Sequence, residues 1–237
     1  MRKKKWARPE LAQCPYYLSW PEDMRGRWRM AFPRQGELVL ELGCGKGVGT
    51  ARMGYEHPEM AIMAVDLSDD VLGDARRQVE QVYDRPVDNL KLVKLDISDI
   101  EAYVSPEDRV DRIMIPFCNP WPRHRHAKRR LTHPRQLLQY REILRDKGEI
   151  WFKTDDDPLY LFTLQAMEAC GFEAVCLLDD LSASGFQPNY ITEHEQRFMA
   201  QGLPIRFGIF RKRPGQYRPD PLLWGLKDTE GEKICDP

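Results

Sequence analysis

The chain has 237 residues, 42% of them hydrophobic, with 36 lysines and arginines against 37 aspartates and glutamates. That content is enough for one buried core, and no apolar run approaches the roughly 20 residues needed to cross a bilayer. The net charge of −1 rules out attraction of polyanions by the surface as a whole, so any nucleic-acid contact must come from local basic clusters. These lie at Arg2 to Arg8, Arg123 to Arg130 and Arg211 to Arg213. The six cysteines (Cys14, Cys44, Cys118, Cys170, Cys176, Cys235) show no C-x-x-C pair and no metal-ligand spacing. They read as reduced thiols in a cytoplasmic protein without a metal site. The basic start M-R-K-K-K-W-A-R-P-E has no apolar stretch behind it, so it does not read as a secretory signal.

Residues 1–35 are basic, aromatic and broken by Pro9, Pro15, Pro21 and Pro33, the pattern of an arm that lies across a domain or orders on a partner. The domain proper spans 36–213, and 214–237 form a tail with no assigned chemistry. Glu37 to Leu42 reads as a buried strand running into Gly43-Cys44-Gly45-Lys46-Gly47. Alternating glycines let a ligand approach the backbone closely. A dinucleotide fingerprint fails because Val48 and Thr50 stand where its third glycine belongs, and no Gly-Lys-Ser/Thr follows to make a P-loop. A helix is expected over Val48 to Tyr55.

A second strand, Ala61 to Val65, ends in Asp66, where a ribose-binding acid belongs in a nucleotide-binding βαβ unit. A third, Leu90 to Leu95, ends in Asp96, placed to accept from an adenine amine. Each acid alone could serve a helix start, as could Ser68 or Ser98. Together with Glu41 they make one pattern, because all three sit at strand ends. With its leading acid, the glycine run resembles S-adenosylmethionine-dependent methyltransferases of the Rossmann-like class. That resemblance implies Glu41, Gly43, Gly45, Asp66 and Asp96 as cofactor contacts.

After a helix over Asp69 to Tyr83, Asp111 to Phe117 is a strand that ends in the turn Asn119-Pro120-Trp121-Pro122. Five lysines and arginines and two histidines follow between Arg123 and Arg130, a density suited to phosphates. Trp121 is expected to pack between sheet and turn. Thr132-His133-Pro134 caps a helix to about Leu144, which Lys147-Gly148 ends. Glu149 to Lys153 is the fifth strand. Asp157 and Pro158 then start a helix to about Cys170, leaving Asp155 free at the strand's carboxyl edge. Glu173 to Leu178 and Ile205 to Phe210 complete the sheet. The expected fold is α/β, Rossmann-like: a doubly wound, mostly parallel sheet with one antiparallel strand.

E-L-G-C-G-K-G at Glu41, N-P-W-P-R-H-R-H-A-K-R-R-L-T at Asn119, F-K-T-D at Phe152 and T-E-H-E at Thr192 together resemble the bacterial tRNA (guanine-N7)-methyltransferase family, from about Lys5 to Arg211. The resemblance implies methyl transfer from S-adenosylmethionine to N7 of a guanine in the tRNA variable loop. It further implies substrate contacts at Arg123, Asp155, Thr192, Glu193, His194 and Glu195, and RNA contacts at Arg125, His126, Lys128, Arg129 and Arg130. Thr192 and Glu195 also spell a capping box. Asn119 stands where the family has Asp, in a turn that carries a catalytic and cofactor-binding role. Asn keeps the carbonyl acceptor and loses the charge. Two other readings are a tRNA-binding relative without catalysis and a methyltransferase of small molecules. The intact acids and glycines speak against the first, and the basic strip against the second.

Overall fold

The computed structural model describes residues 3–226. Arg2, Cys235 and the rest of the tail from 227 on lie outside the described residues. Eight strands form one sheet among them: β1 (Tyr17–Ser19), β2 (Leu38–Leu42), β3 (Ala61–Asp66), β4 (Leu90–Lys94), β5 (Val110–Pro116), β6 (Leu144–Thr154), β7 (Phe172–Leu178) and β8 (Arg206–Lys212). Their order is β1-β4-β3-β2-β5-β6-β8-β7. Pairings are parallel except those of β8 with β6 and β7, so β8 is the one antiparallel strand, as the sequence predicts.

The helices are α1 (Ala7–Ala12), α2 (Val48–Glu56), α3 (Asp69–Val82), α4 (Pro134–Ile143), α5 (Asp157–Ala169), α6 (Glu193–Met199) and α7 (Pro221–Trp224). The central strand explains the two-layer cover. Every residue of β2 is buried, and side chains alternate across a strand. Leu38, Leu40 and Leu42 join one apolar layer with Leu137 and Tyr140 of α4 and Leu159 of α5. Val39 joins the other, with Ala51 and Met53 of α2 and Leu72, Ala75 and Val79 of α3.

The segment read as an arm is woven into this fold. Strand β1 extends the sheet by pairing with β4. Helix α1 lies on α3, where a Cβ on Gly73 would come within 2.7 Å of the Ala7 Cβ. Trp28 is fully buried, its indole donating to the Tyr103 carbonyl at 2.8 Å, and its amide donates to the buried Asp108 at 2.9 Å. The first part of the tail also docks. Arg141 donates to the carbonyls of Arg213 and Gly215 at 2.7 and 2.6 Å, and Trp224 packs edge-on to Phe162 at 5.3 Å.

Two boundaries differ from expectation. Helix α4 stops at Ile143, within a residue of the expected Leu144, but β6 begins at once at Leu144 and not at Glu149, because Leu144 pairs with Val110, with the irregularity falling between Val110 and Arg112. The cap of α5 is Asp156, whose Oδ1 accepts from the Leu159 amide at 2.7 Å. Asp157 is the first helical residue, which puts Pro158 in the first turn where its missing N–H costs nothing. Asp157 pairs instead with Arg206 at 2.7 Å.

Candidate active site

From β2 the chain runs outward through β3 and β4, then returns to the other side of β2 through β5. In such sheets ligands bind beyond the carboxyl ends of the strands where the order reverses. A cleft of about 350 Å³ lies there, walled by the turn from Gly43 to Gly49 after β2, by Pro116 and Phe117 after β5, and by Thr192, Glu193, His194 and Arg197 around the start of α6.

The glycines divide the work. Gly43 and Gly45 have φ of +80° and +57°, and a Cβ on either would meet nothing within 4 Å. A side chain at these two places would stand in the cleft, so glycine keeps the backbone open to a ligand. Gly47 serves packing, since its Cβ would fall 2.9 Å from that of Ala75.

The three strand-end acids behave differently. The Asp66 carboxyl is raised above the ordinary range by burial, against the opposing pull of the backbone amides of Ser68, Gly45 and Leu67. It is a half-buried acceptor beside the glycine turn, with Oδ1 taking the Ser68 amide at 3.0 Å. Asp96 caps a short 3-10 turn, accepting from the amide and hydroxyl of Ser98 at 2.9 and 2.7 Å, so the capping role belongs to Asp96 itself. Glu41 lies beneath the turn, 3% exposed, taking a hydrogen bond from the Thr50 hydroxyl at 2.5 Å. Burial pushes its carboxyl up to about 7. It lines a separate cavity of about 10 Å³, room for no more than a water.

On the facing wall, the His194 ring is stacked on Phe198 with centroids 4.5 Å apart, and meets Phe117 at 4.7 Å. Its Nε2 lies 3.1 Å from Asp155 Oδ1. Asp155 is therefore not the unattached acid expected: it is held by the histidine. Thr192 and Glu195 form the capping box. Glu195 is fully buried, with Oε1 accepting from Asn189 Nδ2 at 2.9 Å and Oε2 from Lys153 Nζ at 3.1 Å. With both oxygens engaged, Glu195 is a support of this wall and no substrate contact in this arrangement. Glu193 pairs with Lys46 across the cleft at 2.8 Å and with Arg197 on its own helix.

The turn after β5 and the basic strip also part company with expectation. Asn119 is exposed, and its Oδ1 accepts from the Trp121 amide at 3.0 Å. The carbonyl expected to position reacting groups holds a turn in which Trp121 takes φ +43°. Trp121 packs within the strip, 5.8 Å from the His126 ring and beneath Arg129 at 5.1 Å, not between sheet and turn. Arg123 precedes the 3-10 turn His124–Arg129, and Arg123, Arg125, Lys128 and Arg129 are exposed. Arg130 donates to the carbonyls of Pro120 and Trp121 at 2.9 and 3.2 Å and lies over Phe162 at 4.3 Å. It locks the N-P-W-P turn and is not presented to RNA like its neighbours.

Lys46, Phe117, Lys153, Asn189 and Arg197 are site residues that sequence reasoning passes over. Lys46 and Lys153 lie inside the quoted motifs, but nothing local says where a lysine reaches. Phe117 carries a φ of +54°, a strained backbone for a bulky residue, and no sequence pattern announces it. No group of three or more histidines, cysteines or acids able to hold a metal occurs among the described residues.

Comparison with known proteins agrees with this geometry. Residues 35–207 match the family model Methyltransf_4, described as "Putative methyltransferase". A tRNA (guanine-N(7)-)-methyltransferase of Clostridium perfringens (strain SM101 / Type A) is 45% identical, covering 90% of this chain and 99% of its own. The enzyme of that name from Clostridium beijerinckii is also 45% identical over 90% of this chain and 98% of its own. Among solved structures, the 16S rRNA methyltransferase KamB superposes with a TM-score of 0.55 over 79% of this chain and 92% of its own, at 12% identity, a likeness of fold. On the strength of these matches along nearly its whole length, the chain belongs to the tRNA (guanine-N7)-methyltransferase family.

Proposed function

We propose that this chain transfers a methyl group from S-adenosylmethionine to N7 of a guanine in the variable loop of tRNA, forming 7-methylguanosine in the cytoplasm. The observation that carries the reading is the cleft at the strand-order reversal, with an open glycine cradle on one wall and, on the other, His194, whose ring nitrogen meets Asp155 behind it. The residues fit the cofactor. Gly43 and Gly45 leave space a side chain would fill, and Asp66 supplies a half-buried carboxylate for ribose hydroxyls. Asp96, at the end of the next strand, is the candidate for the adenine amine. When bound, S-adenosylmethionine supplies an electrophilic methyl group.

The chain's own task is placement. Guanine N7 bears an in-plane lone pair and no proton, so no side chain needs to act as a base. Asp155, oriented by His194, offers an acceptor for the guanine N1 and N2 protons. Phe117 and Val71 line the cleft with apolar surface, and alignment away from solvent is the larger part of such catalysis. Because the base gains positive charge, the carboxylate of Asp155 favours the late stage of the reaction. Arg123, Arg125, His126, Lys128 and Arg129 would hold RNA phosphates on the same sheet edge.

The test is transfer of labelled methyl from S-adenosylmethionine to bulk tRNA. Label in tRNA is expected. Cofactor and tRNA binding without label would favour the tRNA-binding relative, and label only in small acceptors would favour the third reading.

A further inference from the structure

Lys153, the second residue of F-K-T-D, is 5% exposed near the carboxyl end of β6. Its ammonium donates to three acceptors, and all three lie on one short segment: Asn189 Oδ1, the Tyr190 carbonyl at 3.3 Å and Glu195 Oε2 at 3.1 Å. Asn189 closes the circuit by donating to Glu195 Oε1 at 2.9 Å. Two residues beyond Lys153 stands Asp155, bonded to His194 on the same segment. The cofactor side meets this segment too. A Cβ on Gly49 would lie 3.0 Å from the Tyr190 carbonyl, and Lys46 pairs with Glu193 at 2.8 Å.

A buried ion pair is weak evidence for stability, since apolar residues of similar volume often do as well or better. What an ammonium adds here is direction, because its three protons fix three oxygens at once. Helix α6 has only seven residues, too few to hold its own geometry in isolation. We propose that Lys153 is a positioning residue for the methyl acceptor: it pins the 189–195 segment to the sheet so that Asp155 and His194 face the glycine cradle at a fixed separation. The proposal rests on the functional reading above. It assigns Lys153 no contact with substrate.

The experiment compares wild type with Lys153→Met/Glu195→Gln, which removes both buried charges together, and with Asn189→Ala, which leaves the ion pair in place at a half-buried site. Three readouts are taken: thermal midpoint and S-adenosylmethionine affinity, hydrogen exchange over residues 189–199 without tRNA, and steady-state kinetics on tRNA. The expected result is faster exchange in that segment and a KM for tRNA raised about tenfold, the effect of one charged hydrogen bond, with a smaller loss of cofactor affinity. A mere loss of folded enzyme would lower apparent kcat and leave KM alone. Should the double variant not fold, Asn189→Ala decides the question by exchange and KM. Wild-type KM and kcat in a folded variant would overturn the proposal, whether or not exchange changes. Wild type that fails to methylate tRNA would instead overturn the functional reading, while the exchange data would still report on the pin.

Discussion

Asp66, Glu41 and Asp96 look alike in sequence, each an acid at a strand end, yet their surroundings give them different work. Asp66 is the one beside the open turn, so Asp66→Ala should weaken S-adenosylmethionine binding by about tenfold or more, as charged hydrogen bonds to ribose disappear. Unchanged affinity by calorimetry would remove Asp66 from the site. Glu41, by contrast, is held under the turn with a carboxyl raised from 4.5 to about 7 by burial. Because the folded value exceeds the unfolded one, the native state keeps a proton that the unfolded chain has lost between those two values. Stability should therefore fall as pH rises from 4.5 to about 7 and be flat above, by roughly 3 kcal/mol across the window. Glu41→Gln should abolish that part of the slope in thermal midpoints taken from pH 5 to 8. A variant with the wild-type slope would contradict it.

Asn119 is the residue whose role the structure changes most. With Oδ1 on the Trp121 amide, Asp at this position keeps the same acceptor, and Asn119→Asp should remain active in single-turnover methylation. Asn119→Ala loses a neutral turn hydrogen bond and should slow the reaction by roughly fivefold, the scale of about 1 kcal/mol. A hundredfold loss would restore Asn119 to the reacting groups, and wild type inert beside an active Asn119→Asp would show that the charge is required. The capping box is legible from the T-x-x-E spacing alone. That Glu195 is wholly enclosed is not, since its partner Lys153 lies 42 residues away.

Among the elements, the strip after β5 has two kinds of arginine that composition does not distinguish. Arg125, Lys128 and Arg129 are exposed, whereas Arg130 is folded back on the turn. Replacing the first three together with alanine should weaken tRNA binding and flatten its salt dependence by about 0.7–0.9 log units for each phosphate no longer neutralised. Cofactor affinity should hold. An unaltered salt slope would leave the strip as a solvated surface. Strands β2 to β4 are readable to within a residue because short, mostly buried apolar runs carry acids at or just past their ends. The α4 to β6 junction is not, because Lys147-Gly148 looks like a helix stop, while the pairing of Leu144 with Val110 that decides it is nonlocal.

At the scale of the molecule, sheet order brings four separate motifs to one edge. The turns after β2 and β5 meet because these strands are neighbours, and the 192–197 segment reaches them because β6 lies next to β5 and carries Lys153 and Asp155. The α/β class follows from the alternation of elements, whereas the antiparallel course of β8 is a long-range pairing with β6 and β7 that alternation does not dictate. The incorporation of residues 3–35 does not follow either, since their prolines and charges suit an arm that orders on a partner as well as an edge strand anchored by Trp28. The chemistry gathered at this edge is methylation of guanine N7 in tRNA. The most direct measurement incubates unmodified tRNA with the chain and labelled S-adenosylmethionine, digests the product and identifies the methylated nucleoside and its position by mass. The expected product is 7-methylguanosine confined to the variable loop; label in a different nucleoside, or none in tRNA, would exclude that reaction.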